Sequence, residues 1–311
     1  MELVPPSRET LKNIFQSINL NTEQHRRDTE LLKTWLNSQP HLPHDLDDSL
    51  LSSFLVGCKN SLERAKTALD SYLTNRTTCP DFYQHRDPCD PAFRKMSRVV
   101  RYVTLPRMTT EGYRVTIYSL VSPDTPAKDI DLCLNASKVL CSYDVRFLED
   151  PFWAGDVIVI DSKNYTLTQL PALMVLPVLK KYIHCVTNTL PVRFKKIIFI
   201  NMSPVVEIIL KTIKPLLKQK IAQRIIATSE DHKFLYNHVP QDILPEEYGG
   251  KAGKLTELND AWQLKVESYR EWFLNDMKRK VDESLRPEKS KYKPKEQMFG
   301  VEGSFKTLTI D

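Results

Sequence analysis

Apolar positions recur at helical spacing through the first quarter of the chain. In residues 9–75 the run ELLKTWL puts Leu31, Leu32, Trp35 and Leu36 on one face, and Asn21 with Gln24 has the spacing of an N-cap and capping box ahead of it. Pro40 and Pro43 end that helix. DDSLLSSFLVG restarts with acids in its first turn, and Ser61 opens a further helix through Leu69 and Tyr72. Residues 78–95 hold three prolines and few periodic apolar positions, so they read as a linker.

Beyond the linker the period changes. Val115 to Leu120 alternates like a strand, and Val157 to Ile160 and Ile197 to Ile200 are short β-branched runs suited to strands buried on both faces. Helical stretches near 130–143, 168–185 and 204–222 separate them, which implies βαβ crossovers. The predicted fold class is α/β: an all-helical N-terminal part (1–95), a mixed, mainly parallel sheet flanked by helices (96–285) and a C-terminal tail (286–311).

The segment 203–220, SPVVEIILKTIKPLLKQK, is the most informative. Ser203 can cap with Pro204 in the first helical position, and Pro215 should kink or divide the element. Val206, Ile209, Leu210, Ile213 and Leu217 fall on one stripe, with Glu207, Lys211, Lys214 and Lys218 on another about 110° away. Such a helix can cover an apolar cavity while touching anionic headgroups, and the same pattern also serves an ordinary surface helix with a solvated charge face. Leu167, Leu173, Tyr182, Val186 and Leu190 add large apolar side chains beside the strands, equally suited to a cavity wall or a packed core.

Charge sharpens the picture. The 311 residues carry a net +5, yet residues 193–224 hold eight basic side chains against Glu207, a local +7. Residues 278–295 hold a further +5, which leaves −7 for the rest. This is two cationic islands rather than diffuse basicity with interleaved aromatics, so nucleic acid is not an expected partner. Only 8 glycines occur, and no GxGxxG, GxxxxGK[ST], GxSxG or HExxH is present, so nucleotide, serine-hydrolase and zinc-protease chemistry lack their motifs. Six cysteines form no CxxC pair or metal spacing, and no cofactor or metal is expected. The longest uncharged run, Asn164 to Leu179, is broken by Pro171 and Pro177 and too short to span a bilayer. MELVPPSRETLKNIF has no basic segment followed by an apolar core. The reading is a cytosolic, monomeric chain with free thiols and unmodified sequons at Asn75, Asn135, Asn164 and Asn201.

Taken in order, LLKTWLNSQPHLP, DDSLLSSFLVGCKNSLERAKTALDSYLTNRTTCPDF, HRDP, GDVIVID, LPVRFKKIIFIN, IKPLLKQKIAQRI, DILPEEYGG and MFGVEGSFKTLTID resemble the CRAL-TRIO lipid-transfer family, especially its α-tocopherol-transfer and retinaldehyde-binding branch. The resemblance covers nearly the whole chain. It implies a non-enzymatic carrier that encloses one small hydrophobic ligand (a retinoid, tocopherol, terpenoid or phospholipid) in an α/β cavity and exchanges it at membranes. Residues 203–214 would be the gate helix over the mouth. The ligand wall carried over is Cys133, Ser137, Ile158, Ile160, Leu167, Leu173, Tyr182, Cys185, Val186, Leu190, Val192, Ile197, Val206, Leu210, Ile213 and Leu217, with Ser137, Tyr182 and Cys185 as polar or thiol anchors. Arg193, Lys220 and Arg224 match the family's phosphoinositide-binding positions, and Lys211, Lys214 and Lys218 would face the anionic membrane. The family's FLRAR stretch reads FLVGC, placing Val56 and Cys58 where arginines often stand, with Lys59 beside them. A second reading is a phosphoinositide-sensing module without cargo. A third is a lipid-directed enzyme, for which the seven histidines offer no triad spacing.

Overall fold

The computed structural model describes residues 1–287. The chain beyond 287, including most of the expected tail and the basic positions 289–295, lies outside the described residues.

The N-terminal part is a stack of helices: α1 (Arg8–Ser17), α2 (Thr22–Asn37), α3 (Asp48–Gly57) and α4 (Leu62–Thr78). The Asn21 side chain accepts from the backbone N–H groups of Glu23 and Gln24, so the cap forms; Gln24 turns instead to Asp28, at 2.8 Å, and the reciprocal half of the box does not. Leu32 and Leu36 bury completely against Leu50, Leu51, Phe54 and Leu69. Leu31, expected on the same face, is 52% exposed, because it lies at the edge of the stripe.

Residues 78–95 are not a linker. They fold into α5 (Pro80–Tyr83) and the start of α6 (Pro91–Val99), each with proline in its first turn. Between the two helices Arg86 is fully buried and pairs with Asp144 and Asp276. Arg76 adds bonds of 2.9 and 2.7 Å to Asp276, and the Tyr72 hydroxyl donates to Asp144 at 2.6 Å. Burial alone would push Asp276 up, but Arg76 and Arg86 hold it below the usual carboxylate range. Proline content concealed this segment, since buried polar pairs leave no apolar periodicity.

Five strands form one sheet in the order β1 (Val100–Thr104), β2 (Tyr113–Leu120), β3 (Gly155–Asp161), β4 (Phe194–Ile200) and β5 (Ile225–Ala227). β1 is antiparallel to β2 and the other pairings are parallel, in agreement with the expected mainly parallel sheet. α7 (Leu132–Glu149) makes the β2–β3 crossover. The β3–β4 crossover is broken into α8 (Leu170–Leu173), α9 (Leu176–His184) and one π-helical turn, Cys185–Thr189. α10 (Pro204–Ile213) is followed by a 3-10 turn at Lys214–Leu216 and by α11 (Gln219–Ala222), so Pro215 divides the element as expected. α12 (Leu255–Ser268) and α13 (Arg270–Asp276) close the chain against α4, α6 and α7.

Register sorts the strand residues into two faces. One cross-strand row runs Tyr102, Tyr118, Ile160, Phe199; the next runs Thr116, Ile158, Ile197, Ile225. On the other face Val103, Val115, Ile117, Val157, Val159, Ile198 and Ile200 form a fully buried core under Leu235, Val239, Ile243 and Leu244.

Candidate functional site

A cavity of about 250 Å³ lies between the first of these faces and the interrupted helices. Its floor is Tyr102, Tyr118, Ile158, Ile160, Ile197, Phe199 and Ile225 of those rows. α7 supplies Leu132, Asn135, Ala136 and Tyr143; α9 and the π turn supply Val178, Leu179, Tyr182, Ile183, Val186 and Thr187. Val206, Ile209 and Ile213 of α10 close it, with Leu217 and Ile221 beyond the break. Among the described residues its wall contains no Asp, Glu, His, Lys, Arg or Cys. The polar groups are five tyrosines (102, 118, 143, 165, 182), Asn135 and Thr187. Burial raises the pKa of the Tyr102, Tyr118, Tyr165 and Tyr182 phenols, so the wall is uncharged at neutral pH. A separate, open hollow of about 640 Å³ near Asp45 and Arg279 is lined mainly by polar side chains, among them Arg279 paired with Asp45 and Asp47 bonded to Trp272.

Of the expected ligand wall, Ile158, Ile160, Leu173, Tyr182, Val186, Ile197, Val206, Ile213 and Leu217 line this cavity. Seven do not. Cys133 faces a separate surface hollow beside Asp81 and Asp131. The Ser137 hydroxyl donates to the His85 carbonyl at 3.0 Å and is fully buried in that contact. Cys185 turns toward Cys79, with sulfurs 3.8 Å apart. Leu167 is 63% exposed. Leu190 and Val192 pack into the core shared with the N-terminal helices, and Leu210 packs beside the cavity with Val205 and Phe199. Two of the three expected polar anchors, Ser137 and Cys185, therefore point elsewhere, because a helical position one residue off rotates about 100°. The polar wall residues missed were Tyr102, Tyr118, Asn135, Tyr143, Tyr165 and Thr187, along with apolar ones such as Leu132, Val178, Ile183 and Phe199. The alternation of β2 held the signal for Tyr118, whereas Tyr102 lies on β1, which the pattern did not mark.

Lys211, Lys214 and Lys218 are exposed on the outer side of the covering segment, and Lys211 pairs with Glu207 at 2.8 Å. Val175, Leu176 and Ile208 on the same cover are 42%, 41% and 42% exposed. Toward the start of β4 lies a second cationic group. Burial and then the like charges of Arg193, Arg224, Lys59 and Lys220 hold the Lys195 ammonium below its ordinary range. The Arg193 backbone N–H donates to Asp156 at 3.1 Å, its guanidinium bonds to the Trp153 carbonyl, and Arg224 bonds to the Phe194 carbonyl. Val56 is fully buried, and a side chain at Gly57 would put Cβ 1.9 Å from the Pro191 carbonyl oxygen. The tight packing at Val56 and Gly57 leaves no room for a cation at 56; Lys59, at φ 57°, reaches the group instead.

No single helix among the described residues is long and apolar enough to cross a membrane; the bent pair Leu167–Leu173 and Leu176–Thr189 passes on composition alone.

Residues 21–93 match the family model for a Pinta-like UBA domain, and residues 99–250 match the CRAL/TRIO domain. The human alpha-tocopherol transfer protein-like protein is 27% identical over 257 residues, covering 82% of this chain and 71% of its own. Rat clavesin-2 is 24% identical over 247 residues, covering 78% and 74%. Among solved structures, Sfh5 superposes with a TM-score of 0.52 at 12% identity, over 81% of this chain and 99% of that one, which is a likeness of fold.

Proposed function

Since the chain belongs to the CRAL-TRIO family of lipid-binding and transfer proteins, we propose that it encloses one small hydrophobic ligand between the sheet and α10 and exchanges it with membranes. The observation that carries this reading is the cavity wall, apolar and uncharged throughout, with tyrosines, one asparagine and one threonine as its polar groups. A wall without carboxylate, imidazole, amine or thiol suits carriage rather than catalysis.

Burying each methylene contributes about 0.8 kcal/mol, so a long apolar ligand leaves slowly into water and needs an acceptor membrane. α10 is suited to be the movable cover. Its inner residues Val206, Ile209 and Ile213 touch the cavity, Lys214 and Lys218 just past its end are exposed toward anionic headgroups, and Pro215 breaks the chain after it. The group Lys59, Arg193, Lys195, Lys220 and Arg224 is the proposed phosphoinositide headgroup site, since clustered like charges favour a multiply charged anion.

Native mass spectrometry after incubation with a lipid extract should show one bound lipid per chain; a chain that takes up none would sink the carrier reading. The sensor reading rests on the cationic group lying outside the cavity wall, so the two activities separate. Lys220→Glu with Arg224→Glu should abolish binding to phosphoinositide vesicles while lipid uptake persists, whereas a pure sensor would show no uptake before or after the change.

A further inference from the structure

Asn135, in the first turn of α7, is buried on the cavity wall, and its two amide ends are treated unequally. Nδ2 donates to the Tyr118 hydroxyl oxygen at 2.9 Å, while Oδ1 has no hydrogen-bond partner. That bond uses the Tyr118 oxygen as an acceptor, and among the described residues no geometric hydrogen bond takes up the Tyr118 hydrogen. Side by side in the wall stand one unused acceptor, Asn135 Oδ1, and one unused donor, Tyr118 O–H.

We infer that Asn135 and Tyr118 are the specificity-determining anchor of the cavity and that they select a lipid alcohol. A hydroxyl is donor and acceptor at once: it can receive from Tyr118 and donate to Asn135 Oδ1, completing both. An aldehyde, ketone or ester carbonyl satisfies Tyr118 alone, and a hydrocarbon satisfies neither, in each case leaving the buried Asn135 oxygen unpaired. The small cavity and its closely spaced rings favour a single chain or ring system over a two-chain lipid. The inference rests on the carrier reading and goes beyond it by naming the ligand's polar group.

Farnesol, farnesal and farnesene share one skeleton and differ at the terminal group, so competition among them on the full chain isolates the anchor. The wild type should hold farnesol about tenfold more tightly than farnesal, the usual cost of one buried unpaired group, and by a larger factor still over farnesene, which leaves two. Asn135→Leu should erase the preference for farnesol over farnesal while farnesene affinity stays within about twofold. Tyr118→Phe should weaken farnesol and farnesal together; if Asn135→Leu fails to fold, as read by its melting curve, this variant decides. Equal binding of alcohol and aldehyde by the wild type, or a preference surviving Asn135→Leu, overturns the anchor while leaving the carrier intact. A preference for the aldehyde overturns it too, since the amide would then present its NH2 group. A chain that binds none of the three and no lipid from an extract overturns the carrier and the anchor together. If it loads only a lipid from the extract, that lipid must bear a hydroxyl, and one without it overturns the anchor alone.

Discussion

Neighbouring residues of the same strand meet opposite surroundings on the two faces of the sheet. Ile198 is fully buried under Leu235, Val239, Ile243 and Leu244, whereas Ile197, the next residue of β4, looks into the cavity. The packed face is Val and Ile throughout, the cavity face adds Tyr102, Tyr118 and Phe199, and the covers differ as well. The packed face is covered by α12 and by 3-10 turns at His232–Asn237, Gln241–Ile243 and Glu246–Tyr248. Here the backbone itself comes close: a Cβ on Gly250 would stand 1.8 Å from the Leu244 carbonyl oxygen. The other face is covered by α7, by α8 and α9 with a π turn and by α10 cut at Pro215, and large rings stand between: Tyr102, Tyr118 and Phe199 on the sheet, Tyr143 on α7 and Tyr182 on α9. Rigid rings held at the rim leave space at the centre that aliphatic side chains would fill. A hollow therefore comes from interrupted helices and tyrosines, not from a weaker apolar pattern.

The sharpest way to break this contrast is a pair of truncations on one strand. Ile198→Ala should cost about 2–5 kcal/mol, because it opens a new void in a filled core. Ile197→Ala removes methyl groups that already border empty space, so it should cost only about 1 kcal/mol and admit a bulkier lipid. Both positions share strand propensity, which cancels in the difference. Denaturant unfolding of the two variants measures it; equal losses would mean that the faces are packed alike.

A smaller effect is expected from charge on the two covers. Each basic side chain at an anionic surface contributes about 1 kcal/mol, so Lys214→Glu with Lys218→Glu should lower the affinity for anionic vesicles at least tenfold. The loss should shrink as salt is raised. Lys251→Glu, exposed beside the packed-face cover, should leave vesicle binding unchanged. Vesicle sedimentation of the three proteins decides; equal losses would mean that general charge, not the α10 cover, does the docking.

The same contrast explains what the sequence disclosed. Alternation located β2, short β-branched runs located β3 and β4, and the two stripes of residues 203–220 located the cover, because all three are properties of short windows. β1 and β5 escaped because their five and three residues are too few to show a period. The cavity escaped because Ile197 and Ile198 are the same residue type and only the distant covers tell them apart. Family likeness carried the wall through β3, β4 and α10, where register is tightly held, and lost it on α7 and around 185–192, where one residue of rotation sends Ser137 to His85 and Cys185 to Cys79. The anchor at Asn135 and Tyr118 joins a helix to a strand 17 residues away, and neither segment announces the other.

A further predicted effect concerns Lys138, on α7 but outside the cavity wall. Its ammonium nitrogen donates to the Val100 carbonyl at 2.6 Å, and burial pulls its pKa down to about 7. The unfolded chain keeps this proton up to the ordinary lysine range, near about 10. Between the two values the unfolded state binds one more proton than the folded state, so stability rises with pH across that window. Below about 7 both states are protonated, and the cost of burying the charge is carried in full. Lys138→Met removes the titration along with the bond to Val100. The melting temperature of the wild type should therefore climb relative to Lys138→Met between neutral pH and pH about 9.5, with no change in lipid uptake, because the side chain faces away from the ligand. A constant difference over that range would mean that Lys138 stays charged in the fold, and altered uptake would mean that this side of α7 takes part in the cavity after all.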